Sequence, residues 1–127
     1  MSNNPFEIAD QIVTEVKADI YMVDFHAEAT AEKLAMGHFL DGRITGLFGT
    51  HTHIPTADNR ILPKGTGYIT DLGMTGPSNS ILGMDIKIAL IRFVKSLPEK
   101  YKVAEGPVEL NGAIFDIDDE TNRVKRV

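Results

Sequence analysis

The sequence predicts an α/β domain built on a mixed sheet, and three observations carry that expectation. Over residues 5–49 a helical apolar stripe, a short β-branched and aromatic run, a second helical stretch and a second such run follow one another. Strand, helix and strand in that order predict a right-handed crossover with parallel strands. A third strand and a third helix come next, set between Gly- and Pro-punctuated stretches. The tail then changes character, to short β-rich runs that read as antiparallel strands.

Each element has a local reason. Asn4 before Pro5 marks a helix start, because Asn caps exposed backbone N–H groups and Pro gives up nothing at the first helical position. Ala9, Ile12, Val13 and Val16 then recur at helical spacing. "DIYMVDF", residues 19–25, has the length and composition of a buried strand, with His26 at its C-terminal end. "ATAEKLAMGHFLDG" predicts a helix with Thr30 as its cap, Glu32 in the first turn, Leu34, Met36, Phe39 and Leu40 as apolar positions, and Gly42 as the stop. "RITGLFG" is the second strand. Residues 50–65 are polar, carry Pro55 and Pro63, and are long for a connector, which marks a functional loop. "TGYITDLG" is the third strand, and "MTGPSNSILGMD" another loop. Ile86, Leu90, Phe93, Val94 and Leu97 mark a helix that Pro98 ends. "KYKVAEG", "PVELNGAIFDID" and "NRVKRV" read as antiparallel strands, with a turn at residues 118–122.

The bulk properties narrow the functional classes. At 127 residues and 43% hydrophobic composition, residues 1–127 are expected to form a single domain. A net charge of −5 argues against a sequence-independent grip on nucleic acid or an anionic membrane, and a phosphate-containing ligand would need local help from metal ions. With no cysteine, disulfides, thiolate metal sites and cysteine nucleophiles are excluded. No apolar run approaches a membrane span and no leader pattern opens the chain, so a cytoplasmic protein without a membrane partner is expected. The Gly-containing stretches match neither G-x-G-x-x-G nor a P-loop, and no G-x-S-x-G elbow is present.

The chemistry therefore falls to the histidines. In "GTHTHIPTAD", His51 and His53 are two residues apart, and in extended backbone they would face the same way. Imidazole suits zinc, manganese and iron, although an H-x-H also occurs as surface or hydrogen-bonding histidines. His26, at the end of the neighbouring strand, joins the pair at the edge where α/β sheets gather their ligands. The fourth histidine, His38, lies inside a predicted helix and reads as an ordinary helix residue. Among the carboxylates, Asp24 shares a face with His26 by alternation, and Glu28 follows two residues beyond it. Either would orient an imidazole, Asp24 has direct metal ligation as its lesser alternative, and Glu28 would otherwise cap the next helix. Asp58 and Asp71 lie near the same edge, where Asp also serves turns.

The stretches "VDFHAEATAEKLAMG", "GTHTHIPTADNRILPKGTGYITDLGMTGP" and "ILGMD", with the tail "AEGPVELNGAIFDIDDETNRV", resemble the YmdB-type metallophosphoesterases of the calcineurin-like superfamily. The spacing from His26 to His51, then two residues to His53, agrees with that family's three metal-binding histidines. The resemblance implies half of a two-sheet sandwich flanked by helices, a mixed sheet with antiparallel C-terminal strands. It implies a site for two divalent metal ions (Mn, Fe or Zn), with His26 and His51 on one and His53 on the other. Asp24, Glu28 and Asp71 would stand behind them. The implied substrates are phosphodiesters of the 2',3'-cyclic nucleotide type, cleaved by metal-activated water. The family's other ligands, an early Asp, a bridging acidic residue and an Asn followed by His, have no counterpart motif in residues 1–19. The chain is accordingly expected to be a C-terminal half, with no catalytic residue complete within it. A core cut in this way would leave an apolar sheet face, so a homo-oligomer or a complementing N-terminal half is expected. The alternative is a non-catalytic metal-binding or oligomerising half-domain, and a third reading leaves the histidines purely structural.

Overall fold

The computed structural model describes residues 4–127. Two compact units divide the chain, Met1–Gly73 with Gly112–Val127, and Met74–Asn111. The first unit carries helices α1 (Pro5–Glu15) and α2 (Thr30–Leu40) and a four-stranded sheet. Its strands are β1 (Met22–His26), β2 (Gly46–Thr50), β3 (Arg60–Ile61) and β4 (Gly67–Ile69), in the order β1-β2-β4-β3. β1, β2 and β4 run parallel, as the crossover pattern predicts, and β3 returns antiparallel to β4. This mixed sheet matches the expected fold class. The β3–β4 hairpin lies partly within the long loop, whose polar composition hid it.

Local chemistry explains the helix limits. Asn4 Oδ1 accepts from Phe6 N at 3.0 Å with Pro5 at the first position, as expected. The cap of α2 needs correction. Ala29 takes the cap position with no side-chain bond, Thr30 is already helical, and Glu28 is exposed in the preceding loop. At its other end Asp41 is the cap and Gly42 follows at φ 82, the left-handed residue that stops a helix.

Alternation along β1 turns Val23 and Phe25 toward the helices and Met22, Asp24 and His26 to the opposite face. The core on the helix side gathers Met36, Leu40, Ile44, Leu47, Leu62 and Tyr68, with Phe6, Ala9 and Val13 of α1 packed against it. On the other face the register partners Gly46 and Gly67 form a slot for the Phe115 ring, because a Cβ on either would meet that ring at 2.9 Å. The ribbon β7 (Asp116–Ile117) and β8 (Val124–Arg126) follows Phe115, and Val124 also lies against Gly67. Over β1 this face stays open, and Met22 is 41% exposed.

The second unit pairs β5 (Gly76–Pro77) with β6 (Val108–Glu109) and holds α3 (Ile86–Lys95). Asp85 caps α3 through Ile88 N at 3.1 Å, and the helix ends at Ser96, φ 52, ahead of Pro98. The apolar stripe that predicts this helix is not its buried side: Phe93 and Val94 are exposed and Ala89 is the buried residue. The tail also differs from expectation. "PVEL" pairs with Gly76–Pro77, "KYKVAEG" contributes one isolated bridge from Val103 to Met84, and the ribbon at the C-terminus begins only at Asp116. Among the described residues no helix is long and apolar enough to cross a membrane.

Candidate functional site

The parallel register of β1 and β2 sets His26 opposite Thr50. His26 Nδ1 lies 3.0 Å from Thr50 Oγ1, and that hydroxyl donates to Asp24 Oδ1 at 2.9 Å. An ionised carboxylate only accepts, so the single hydroxyl proton goes to Asp24 and the Thr50 oxygen must accept from His26 Nδ1–H. In its neutral form the ring is thereby held in one tautomer, with Nε2 carrying the bare lone pair. His51 Nδ1 faces that lone pair at 3.3 Å, and the two rings meet edge to face, 5.0 Å between centroids and 80° between planes.

That separation bears on metal binding. It is that of a hydrogen bond at the long end of the range. Two nitrogens held at about 2.0–2.1 Å from one ion at the tetrahedral angle stand about 3.3 Å apart. The spacing of the pair is thus that of two donors on one divalent cation. Among the described residues no third His, Asp or Glu joins them in a metal-holding group. Asp24 stands behind His26 by way of Thr50. Glu28 is exposed and makes no hydrogen bond or ion pair among the described residues.

The backbone of the histidine segment is not extended. β2 stops at Thr50, and His51 and His53 have φ of 115° and 68° on consecutive bends. Alternation therefore does not orient these two rings, and a left-handed turn replaces it. Non-glycine residues adopt such angles only where the surroundings hold them there.

Those surroundings are built from Asp71, just past β4. Its Oδ2 accepts from Lys33 Nζ at 2.8 Å and from Thr52 N at 2.9 Å, and its Oδ1 accepts from Gly73 N at 2.8 Å. Both side chains of the Lys33–Asp71 pair are completely buried. Asp71 thus grips the backbone between the two histidines rather than a ring nitrogen. Asp58, also near the predicted edge, accepts from Thr56 Oγ1, Thr70 N and Thr70 Oγ1, which ties the outgoing loop to β4. Sequence reasoning missed Thr50 and Lys33 as site residues. Lys33 had a signal: it falls in line with Met36 and Leu40 on the core face of α2, where a lysine requires a carboxylate.

Burial favours the neutral form of Asp71, but the Lys33 ammonium and the Thr52 and Gly73 amides outweigh it and hold the pKa at about 2. For Asp58, burial is likewise outweighed, by the hydroxyls of Thr70 and Thr56 and by Thr70 N–H, so its carboxyl lies below the usual value. A carboxylate of depressed pKa contributes stability that is present above the unfolded value, about 3.9, and lost as pH falls through the folded one. Between pH 5 and pH 2 the wild-type chain should lose about 2 kcal/mol through Asp71 alone. Urea unfolding at pH 5, 3 and 2 checks this. Asp71→Asn should show a visibly shallower acid loss, and equal slopes would remove Asp71 from the acid response.

A mixed α/β sheet of this kind is also the frame of a solved phosphatase. The chain superposes on the crystal structure of a novel phosphatase from Mycoplasma pneumoniae with TM-score 0.93, at 40% identity, over 99% of this chain and 45% of that one. A hypothetical protein from Thermus thermophilus matches with TM-score 0.80 at 47% identity, over 84% of this chain and 42% of that one. The family model for YmdB-like protein matches residues 1–127, and the chain belongs to this family. It is 51% identical over 127 residues to the 2',3'-cyclic-nucleotide 2'-phosphodiesterase of Bacillus subtilis, a match that takes in 98% of this chain and 48% of that protein. The chain spans about half the length of the relatives it matches.

Proposed function

We propose that residues 1–127 are the C-terminal, histidine-bearing half of a two-metal phosphodiesterase centre acting on 2',3'-cyclic nucleotides. The observation that carries this reading is the His26–His51 pair, one lone pair fixed by Thr50 and Asp24 and facing the second ring at 3.3 Å. In this reading His26 Nε2 and His51 Nδ1 hold one ion and His53 serves the other. Two divalent ions held there would supply an activated water and charge neutralisation at the phosphoryl oxygens. Nitrogen donors suit Mn, Fe or Zn better than Mg or Ca. The work of this chain is orientation: Thr50 and Asp24 set the His26 ring, and Asp71 sets the backbone between His51 and His53.

Carboxylate and amide ligands complete such a centre, and in this reading they come from an N-terminal half or from a second copy of the chain. The open face over β1 and the exposed Phe93 and Val94 of α3 support association of one of these kinds. The test is hydrolysis of 2',3'-cyclic AMP with added Mn²⁺ by the chain and by His51→Ala, beside light scattering. Turnover in an assembled wild type that falls at least a hundredfold in the variant supports the reading. A wild type that binds no Mn²⁺ overturns it.

A second reading, a metal-binding or oligomerising half-domain without turnover, is favoured by one observation: no group of three ligands converges among the described residues. It predicts Mn²⁺ binding that His51→Ala abolishes, with no hydrolysis in either protein.

A further inference from the structure

The segment from Gly49 to Thr56 carries two non-glycine residues in left-handed conformations, yet it lies in a network that leaves it little freedom. Leu72 N donates to Gly49 O at 2.9 Å and Thr56 N donates to Asp71 O at 3.0 Å, so both ends of the segment are tied to residues 71–72. Pro55 bridges Leu72 between these ties. Within the segment, Thr52 Oγ1 donates to Ile54 O at 3.1 Å. At the midpoint Thr52 N, the amide between the two histidines, donates to the buried Asp71 carboxylate. Among the described residues no buried side-chain polar atom lacks a partner, and the ammonium beneath the carboxylate donates to Asp71 Oδ2.

From this geometry we infer that Asp71, neutralised from beneath by Lys33, is the positioning residue of the histidine turn. Its carboxylate captures Thr52 N–H and holds His51 and His53 at positive φ before any ligand arrives. The inference rests on the metal-centre reading only for its functional consequence; the positioning itself is a property of the chain alone. A turn preset in this way presents its imidazoles without the ordering cost that a relaxed loop would incur on binding. A charged acceptor is needed because a strained turn is held better by a charge-assisted hydrogen bond than by a neutral one. The lysine is needed because an unpaired carboxylate would not stay ionised at complete burial.

The experiment compares Asp71→Asn with Asp41→Asn. Asp41 is the control because it is also buried and also holds a loop, accepting from Lys64 N at 2.8 Å and Thr66 N at 3.2 Å, with no bond to the histidine segment. Both variants should lose stability. In the folded proteins, imidazole ¹⁵N spectra should show the His51 and His53 rings displaced in Asp71→Asn and unmoved in Asp41→Asn. Co²⁺ titration should show affinity weakened about tenfold or more in Asp71→Asn alone. Histidine signals in Asp71→Asn that match wild type overturn the inference. If Asp71→Asn does not fold, amide exchange in the wild type decides: Thr52 N–H should be strongly protected, and free exchange there overturns the inference. A wild type that binds no Co²⁺ refutes the metal reading, and the ring signals then still support or overturn the positioning role.

Discussion

Lys33→Met should destabilise the chain by about 3–5 kcal/mol, the cost of leaving one partner of a buried ion pair uncompensated. Methionine keeps the length and much of the packing of the lysine stem, so the loss isolates the ammonium. That group lies 2.8 Å from Asp71 Oδ2 with neither side chain exposed, and solvent screening does not soften the change. Against the roughly 5–15 kcal/mol that holds a domain folded, this is a large fraction. Urea unfolding at pH 7 is the direct measurement. Adding Asp71→Asn to Lys33→Met should recover part of the loss, because it removes the unpaired charge and keeps a carbonyl oxygen for one of the two amides. A change below about 1 kcal/mol in Lys33→Met would mean that the pair contributes no more than an exposed one.

Gly49→Ala should be comparably damaging for a steric reason. A Cβ at position 49 would fall 1.8 Å from Thr70 O and 2.7 Å from Lys33 Cδ. The lysine stem is buried and the oxygen belongs to the backbone just past β4, so neither yields cheaply. Relief requires β2 and β4 to separate at the point where Leu72 N bonds Gly49 O, the same tie that carries Asp71 to the histidine turn. Overpacking that displaces backbone should cost about 3 kcal/mol or more. Gly112→Ala is the matched control, since a Cβ there meets nothing within 4 Å and the substitution should stay within about 0.5 kcal/mol of wild type. Thermal unfolding of the pair decides it, and equal midpoints would show that the β2–β4 contact relaxes freely.

Both predictions concern residues that local sequence reading passes over, and the reason is physical. Periodicity reports which face of an element is apolar, so α1, α2, β1, β2 and β4 were legible from a window of ten or so residues. The same reading found α3, although its stripe of Phe93 and Val94 is exposed rather than buried. It failed for strands of two residues, such as β3 and β5, which are too short to carry a period and exist only because a partner lies alongside. "PVEL" reads as a strand in isolation, but its partner Gly76–Pro77 has no strand signal of its own.

By itself the sequence determined the succession α1, β1, α2, β2, β4 and α3, the parallel crossover, and the placement of His26, His51 and His53 where the first two strands end, because these follow from composition and spacing along the chain. It also carried the family, through motifs spread over nearly its whole length. Only the tertiary structure decided that His26 meets His51, that Thr50 and Asp24 choose the His26 tautomer, and that Lys33 and Asp71 close beneath the turn. Each of these depends on pairing residues 19–38 positions apart, and on backbone angles at His51 and His53 that no alternation rule contains. Register between distant strands and the sign of φ at a turn are settled by packing, and packing exists only once the chain is folded.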